Sequence, residues 1–223
     1  MKSIMFDLYG TLIDIHTDEE KDKFWKNVAL NTAEYKKFAP EVLKKEYLKL
    51  CYKYSIVKEE IDLLDVFKEL YNADDEAAAQ IATAFRGLST KYIKLYKGAK
   101  HLLQTLKEKG FKVYLLSNAQ EIFTMHELEK LGLIEYFDGI AISSKYGVKK
   151  PNLKFYKAAI KKMGVEGDIM MVGNDYECDV LPALKLGLKS VFIETNLTPK
   201  NNAKEKVKGF RYKKVLKEIL SKF

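Results

Sequence analysis

The chain has 223 residues, room for one α/β core with a modest insertion, and its 47% hydrophobic and 31% charged residues suit a water-soluble globular protein. The apolar run at the start is interrupted by Asp7, too early for a signal peptide, and no run approaches the roughly 20 residues that span a bilayer. A cytoplasmic location with no membrane partner is therefore expected. Net charge is +8 and the isoelectric point near 9.1. The basic residues are nearly all Lys interleaved with Glu and Asp, and Arg occurs only at positions 86 and 211, which describes solvated helix faces rather than a nucleic-acid surface. The excess charge can still draw in an anionic substrate. Cys51 and Cys178 lie outside any CxxC spacing and are expected as free thiols; with His16, His101 and His126 they make no zinc-like cluster.

In chain order, Ser3-Ile4-Met5-Phe6 reads as a buried parallel strand that delivers Asp7 beyond its carboxyl end. Gly10 lets the backbone turn closely there, and the Thr11 hydroxyl can hydrogen-bond to whatever the turn surrounds. Residues 13–18 read as a connecting loop and flap, with His16 solvated and Thr17 or Asp18 as the N-cap of a first helix. Up to about Tyr92 the apolar residues recur at helical spacing in four stretches, around Phe24–Ala29, Val42–Cys51, Ile61–Leu70 and from Asp74 or Asp75 to Phe85. Four amphipathic helices at this point imply an inserted bundle, with Phe24, Trp25, Tyr35, Tyr47, Tyr52 and Tyr54 in its core.

Leu95–Gly98 reads as the hinge back into the core. From Ala99 onwards strands and helices alternate: strands are expected over 111–116, 139–142, 168–172 and 189–193, and helices near 121–131, 152–163 and before Gly187. That alternation specifies a doubly wound parallel sheet. Residues 195–208 are polar and Lys-rich and read as loop, ahead of a last helix from about Tyr212 to Ser221.

Several strand ends carry a small set of polar residues. Phe6-Asp7-Leu8-Tyr9-Gly10-Thr11-Leu12 resembles the first motif of the haloacid dehalogenase-like (HAD) hydrolase superfamily. Three later stretches resemble its other motifs in order: the strand closing on Ser117-Asn118, Lys150 immediately before Pro151, and Val172-Gly173-Asn174-Asp175 with Asp179 following. The resemblance covers nearly the whole chain. It implies a Rossmann-like α/β core, residues 1–16 and 93–223, with an inserted all-helical cap, residues 17–92, that closes over the active site.

On that resemblance the function is a Mg²⁺-dependent phosphatase acting on a small phosphorylated metabolite. Asp7 would be the nucleophile, Lys150 would neutralise it, and Thr11, Ser117, Asn118 and Lys150 would hold the substrate. Asp7, the Tyr9 carbonyl, Asp175 and Asp179 are the expected metal residues; aligning on the glycine instead puts Asn174 on the first acid of the fourth motif. Lys149 is expected to face solvent, and Pro151 to begin the next helix and bias Lys150 to an extended backbone. Tyr9 stands where the family has its second Asp, the general acid/base, and an ordinary phenol titrates near pH 10. Tyr at that place also resembles the 2-haloacid dehalogenases, in which Asp attacks carbon without a metal. A third reading is a non-catalytic module binding a phospho-ligand or a protein. A monomer or homodimer suits each of them.

Overall fold

The computed structural model describes residues 1–223. Lys2–Phe6 forms β1, buried from Ser3 to Phe6, and it lies at the centre of a six-stranded sheet because its apolar residues face both sides. It pairs in parallel with β4 (Lys112–Ser117) on one side and β6 (Asp168–Gly173) on the other. The order is β5-β4-β1-β6-β7-β8, with β5 at Gly139–Ile142, β7 at Lys189–Glu194 and β8 at Val207–Lys208. Phe6 stands opposite both Leu115 and Val172, so β1, β4 and β6 end at the same level. Asp7, Ser117-Asn118 and Asn174 therefore leave the sheet side by side.

Helices α5 (Ala99–Glu108), α6 (Glu121–Lys130), α7 (Leu153–Met163), α8 (Leu181–Lys185) and α9 (Tyr212–Lys222) come from the alternating part of the chain. Ile4, Phe6, Val113, Leu115, Val172 and Val191 pack against α5 and α9 residues on one face, and Met5, Tyr114, Leu116 and Met171 pack against α7 residues on the other. This is the doubly wound α/β arrangement expected from the alternation.

The insertion is helical as expected: α1 (Asp22–Asn31), α2 (Pro40–Ser55), α3 (Leu63–Tyr71) and α4 (Asp75–Ser89) surround an apolar cluster that includes Phe24, Trp25, Tyr47, Phe67 and Phe85. Phe123 of α6 enters that cluster, so the helices pack continuously onto the sheet unit. Tyr35 and Tyr54 are only half-buried and Tyr52 is exposed.

Four local expectations need correction. Residues 13–18 are largely strand: β2 (Ile13–Thr17) pairs antiparallel with β3 (Thr90–Leu95), a two-stranded ribbon through which the chain leaves and re-enters the sheet unit. The pairing partner lies some eighty residues away, so no local turn signal announced it. The first helix begins after Lys21, and Asp18 forms an ion pair with Lys21 at 2.7 Å instead of capping. Pro151 does not start α7; Asn152 is the N-cap, accepting from the Lys154 N–H at 3.0 Å. Within the polar stretch 195–208, Val207–Lys208 adds a short parallel strand to β7. No helix is long and apolar enough to cross a membrane.

Candidate active site

The strand ends border a solvent-open cavity of about 160 Å³ lined by Asp7, Tyr9, Asn118, Lys150, Asn174, Asp175, Cys178, Asp179, Leu197 and Pro199. Lys150 lies at its centre and is 2% exposed. Its Nζ donates to Asp7 Oδ1 at 2.8 Å, to Asp179 Oδ1 at 2.7 Å and to the Leu116 carbonyl at 2.8 Å. These three bonds use all three ammonium hydrogens. Burial alone would lower the Lys150 pKa, but the charges of Asp179 and Asp7 outweigh it and hold the group above the ordinary lysine value. Asp179 moves upward as well, chiefly through burial and with the Asp7 charge adding to it, although Lys150 and the Asp175 N–H oppose the shift. Both shifts describe one cation between two buried carboxylates.

The backbone of Lys150 is gripped by Asn118, whose Nδ2 donates to the Lys150 carbonyl at 2.8 Å and whose Oδ1 accepts the Lys150 N–H at 2.8 Å. The Asn118 amide thus holds the lysine loop rather than pointing free donors at a substrate. Lys149 pairs with Glu60, from the α2–α3 connection, at 3.0 Å and remains half exposed. The lysine that touches Asp7 is the one beside the proline.

Around Asp7 the second oxygen is also held. Thr11 Oγ1 donates to Asp7 Oδ2 at 2.9 Å and lies 3.2 Å from Asn174 Oδ1. Gly10 has φ +84°, and a Cβ there would overlap the Asn174 amide, so only glycine allows the first turn and the β6 loop to touch. Gly173 has the same function on the other side, where a Cβ would overlap the Asp179 carboxylate. Thr11 and Ser117 are fully buried and do not line the cavity; the Ser117 hydroxyl has no hydrogen-bond partner.

In the acidic loop, Asp175 Oδ1 accepts the N–H groups of Glu177 and Cys178, both at 3.0 Å, and so caps the wide helical turn Tyr176–Val180. Asp179 Oδ2 accepts the Asp175 N–H at 2.9 Å. Of the two acids, Asp179 is the partner of Lys150, and Asp175 keeps its carboxylate at the cavity wall. Burial and the neighbouring Asp175 push the Cys178 thiol up to about 12, which makes it a poor nucleophile. Cys51 and Cys178 are both free thiols, as expected.

Tyr9 departs from the expected catalytic placement. Its hydroxyl donates to Glu127 and lies 3.0 Å from Thr124 Oγ1, both on α6, and Arg86 of α4 sits 5.9 Å from the ring centroid while donating its Nε to Glu127 at 2.6 Å. Burial, with the Glu127 charge and hydrogen bond, drives the phenol far above its ordinary pKa. The side chain is an anchor to α6 and carries no group able to exchange a proton near neutral pH. His16 is exposed on β2 and stacks with Tyr92 at 6.0 Å; it lies outside the cavity lining.

The motif residues did not reveal Glu127, Thr124, Leu197 or Pro199. Glu127 had no signal, since a Glu on an amphipathic helix normally faces water. Leu197 was visible only as a lone apolar residue in a polar segment.

A family model described as a haloacid dehalogenase-like hydrolase matches residues 1–187. The chain is 28% identical over 204 residues to the glyceraldehyde 3-phosphate phosphatase of Pyrococcus furiosus, covering 87% of this chain and 81% of that protein. It is 32% identical over 94 residues to the protein of the same name from Methanothermobacter thermautotrophicus, and this match spans only 42% of either chain, under half the relative's length. The crystal structure of a HAD phosphatase from Thermococcus onnurineus superposes with a TM-score of 0.62 over 99% of this chain and 98% of that one, at 22% identity, a likeness of fold. With the match to the family model, the four strand-end motifs and their convergence on one cavity, the chain belongs to the haloacid dehalogenase-like hydrolases.

Proposed function

We propose that the protein hydrolyses phosphate monoesters of small metabolites, with Asp7 as nucleophile. The observation that carries this reading is the contact between Lys150 Nζ and Asp7 Oδ1 at 2.8 Å in a cavity whose other wall is acidic. An Asp7 oxygen would attack phosphorus, the bond from phosphorus to the ester oxygen would break, the alkoxide would take a proton from water and leave as the alcohol, and an aspartyl-phosphate would remain. Water attacking that phosphorus would then release inorganic phosphate and restore the carboxylate. Lys150 would act mainly through its charge, since its three hydrogens already have acceptors, and Thr11 would keep the carboxylate oriented. The Ser117 hydroxyl is unpartnered but buried outside the cavity lining, so it would donate to a phosphoryl oxygen only in a substrate-bound arrangement of the loop after β4.

The donor set also suits Mg²⁺. Asp7, Asp175 and Asp179 line a cavity containing a single cation, an excess of hard anionic oxygen that a divalent ion compensates. Asp7, the Tyr9 carbonyl and Asp175 would hold it, with Asn174 beside them and Asp179 kept by Lys150. The ion would supply neutralisation of phosphoryl charge. This acidic wall favours phosphorus over carbon as the site of attack, because a carbon-directed nucleophile gains nothing from added negative charge around it. Residues 17–92, which carry helices α1–α4, would serve as the cap.

The test is phosphate release from a panel of phosphate monoesters and 2-haloacids, with and without Mg²⁺. Wild type should release phosphate only with the metal, and intact-mass measurement should find a phosphoryl adduct lost in Asp7→Asn. Asp175→Asn keeps the helical cap and removes the charge, so it should lose Mg²⁺ binding by calorimetry without unfolding. Halide release without metal, or an Asp7→Asn variant keeping a tenth of the activity, would overturn the assignment.

A further inference from the structure

An inserted helical bundle is the natural place to look for specificity residues, yet no residue of α1–α4 lines the cavity. Beyond the polar residues of the motif loops, its apolar walls are Leu197 and Pro199, both from the segment that follows β7. That segment is fastened to the site on either side of Leu197. Thr195 Oγ1 donates to the Gly10 carbonyl at 2.7 Å, and Asn196 Nδ2 donates to Asp14 Oδ1 at 2.9 Å. Tyr96 donates its hydroxyl hydrogen to Asn196 Oδ1 at 2.6 Å, and Thr198 Oγ1 accepts the Thr195 N–H at 2.8 Å. Leu197 is therefore held in place by the first motif turn and the β2–β3 ribbon rather than carried on a loose loop.

Size and charge set what this wall admits. The cavity, about 160 Å³, is smaller than the roughly 300–1,000 Å³ common for drug-sized ligands. Lys150 is its only cation and has no hydrogen left to offer a second anionic group. A carboxylate or second phosphate on the leaving group would lie beside the apolar Leu197 and Pro199, which offer it no donor, and face the like charges of Asp175 and Asp179. We propose that Leu197 and Pro199 form the specificity wall of this site, and that it selects phosphate monoesters of compact, uncharged alcohols. The proposal rests on the phosphatase reading above.

The experiment measures kcat/KM with Mg²⁺ for propyl phosphate, hexyl phosphate and 3-(phosphonooxy)propanoate in wild type, Leu197→Ala and Leu197→Arg. Wild type should prefer propyl phosphate to each of the others by at least tenfold. A single methylene in a hydrophobic pocket changes discrimination by roughly 10–200-fold, so Leu197→Ala should raise the hexyl-to-propyl ratio by about tenfold or more. Leu197→Arg should raise the ratio for the carboxylate ester instead. Calorimetric binding of propyl- and hexylphosphonate should change in the same ratio and gives a readout independent of turnover. Wild-type turnover with both ratios unchanged in the variants overturns the wall. No phosphate release by wild type from any ester overturns the phosphatase reading itself, and the wall with it.

Discussion

Gly10 and Asn174 meet face to face: the first turn of the chain passes so close to the loop after β6 that a methyl group on Gly10 would overlap the Asn174 amide. This approach lets Thr11 reach both Asp7 and Asn174. Gly10→Ala would combine a left-handed backbone, a penalty of about 1–2 kcal/mol for an ordinary residue, with displacement of Asn174. Urea unfolding should show a loss of at least that size. Phosphatase activity should fall more than a hundredfold even at temperatures where the variant remains folded.

Tyr9 and Glu127 offer a test of what replaced the usual acid. With its hydroxyl given to Glu127 and its pKa driven upward by burial, Tyr9 should contribute no ionisation to the pH–rate profile between pH 5 and 9. Tyr9→Phe should leave the shape of that profile unchanged and cost about 1–3 kcal/mol of stability, because the buried Glu127 loses a donor. Tyr9→Asp should raise the rate on alkyl phosphates more than on aryl phosphates. Aryl leaving groups need little protonation, whereas general acid help is worth roughly a hundred- to ten-thousand-fold for poor ones. Equal gains on both substrates would show that another group supplies the proton.

Lys150 holds two buried carboxylates, so its removal should be felt by the fold as well as by the chemistry. Lys150→Met fills similar volume but leaves Asp7 and Asp179 unpaired, a change that typically destabilises by about 3–5 kcal/mol. Asp179→Asn in the same background should restore part of that loss by removing one of the stranded charges. Thermal denaturation of the single and double variants checks this. A double variant no more stable than Lys150→Met would mean the carboxylates are solvated.

Asp14 ties the β2–β3 ribbon to the segment bearing Leu197. Burial pushes its carboxyl up, but hydrogen bonds from Asn196, Lys94 and Tyr92, with the Lys94 charge, outweigh it and hold the group below the ordinary aspartate value. A depressed folded-state pKa stabilises above the unfolded value, near 3.9, and that contribution disappears as the pH falls through the folded value. Between pH 5 and 3 wild type should therefore lose more melting temperature than Asp14→Asn. Parallel acid limbs in the two proteins would count against the contact.

The core alternation and the order of the four polar strand ends could be read in one dimension because each depends on local pattern. Apolar runs of strand length, helical spacing between them, and Asp, Ser, Lys-Pro or Gly-Asn-Asp at their ends survive in any register of the sheet. The choice of Lys150 over Lys149 as the neighbour of Asp7 came from the resemblance, whose lysine motif places the lysine immediately before a proline.

What the sequence determined by itself was the kind of fold and which stretches approach one another: a doubly wound sheet brings the ends of β1, β4 and β6 together whatever the loops do. The tertiary structure alone decided how each side chain is spent. Tyr9 turns to α6 because Glu127 and Thr124, more than a hundred residues away, offer buried partners. Asn118 clamps a backbone, and Leu197 becomes a wall because Gly10 and Asp14 hold its neighbours. Residues 13–17 became a strand only when Thr90–Leu95 came back beside them. Such contacts join groups remote along the chain, and their energy depends on distance and burial in the folded state, neither of which local residue order encodes.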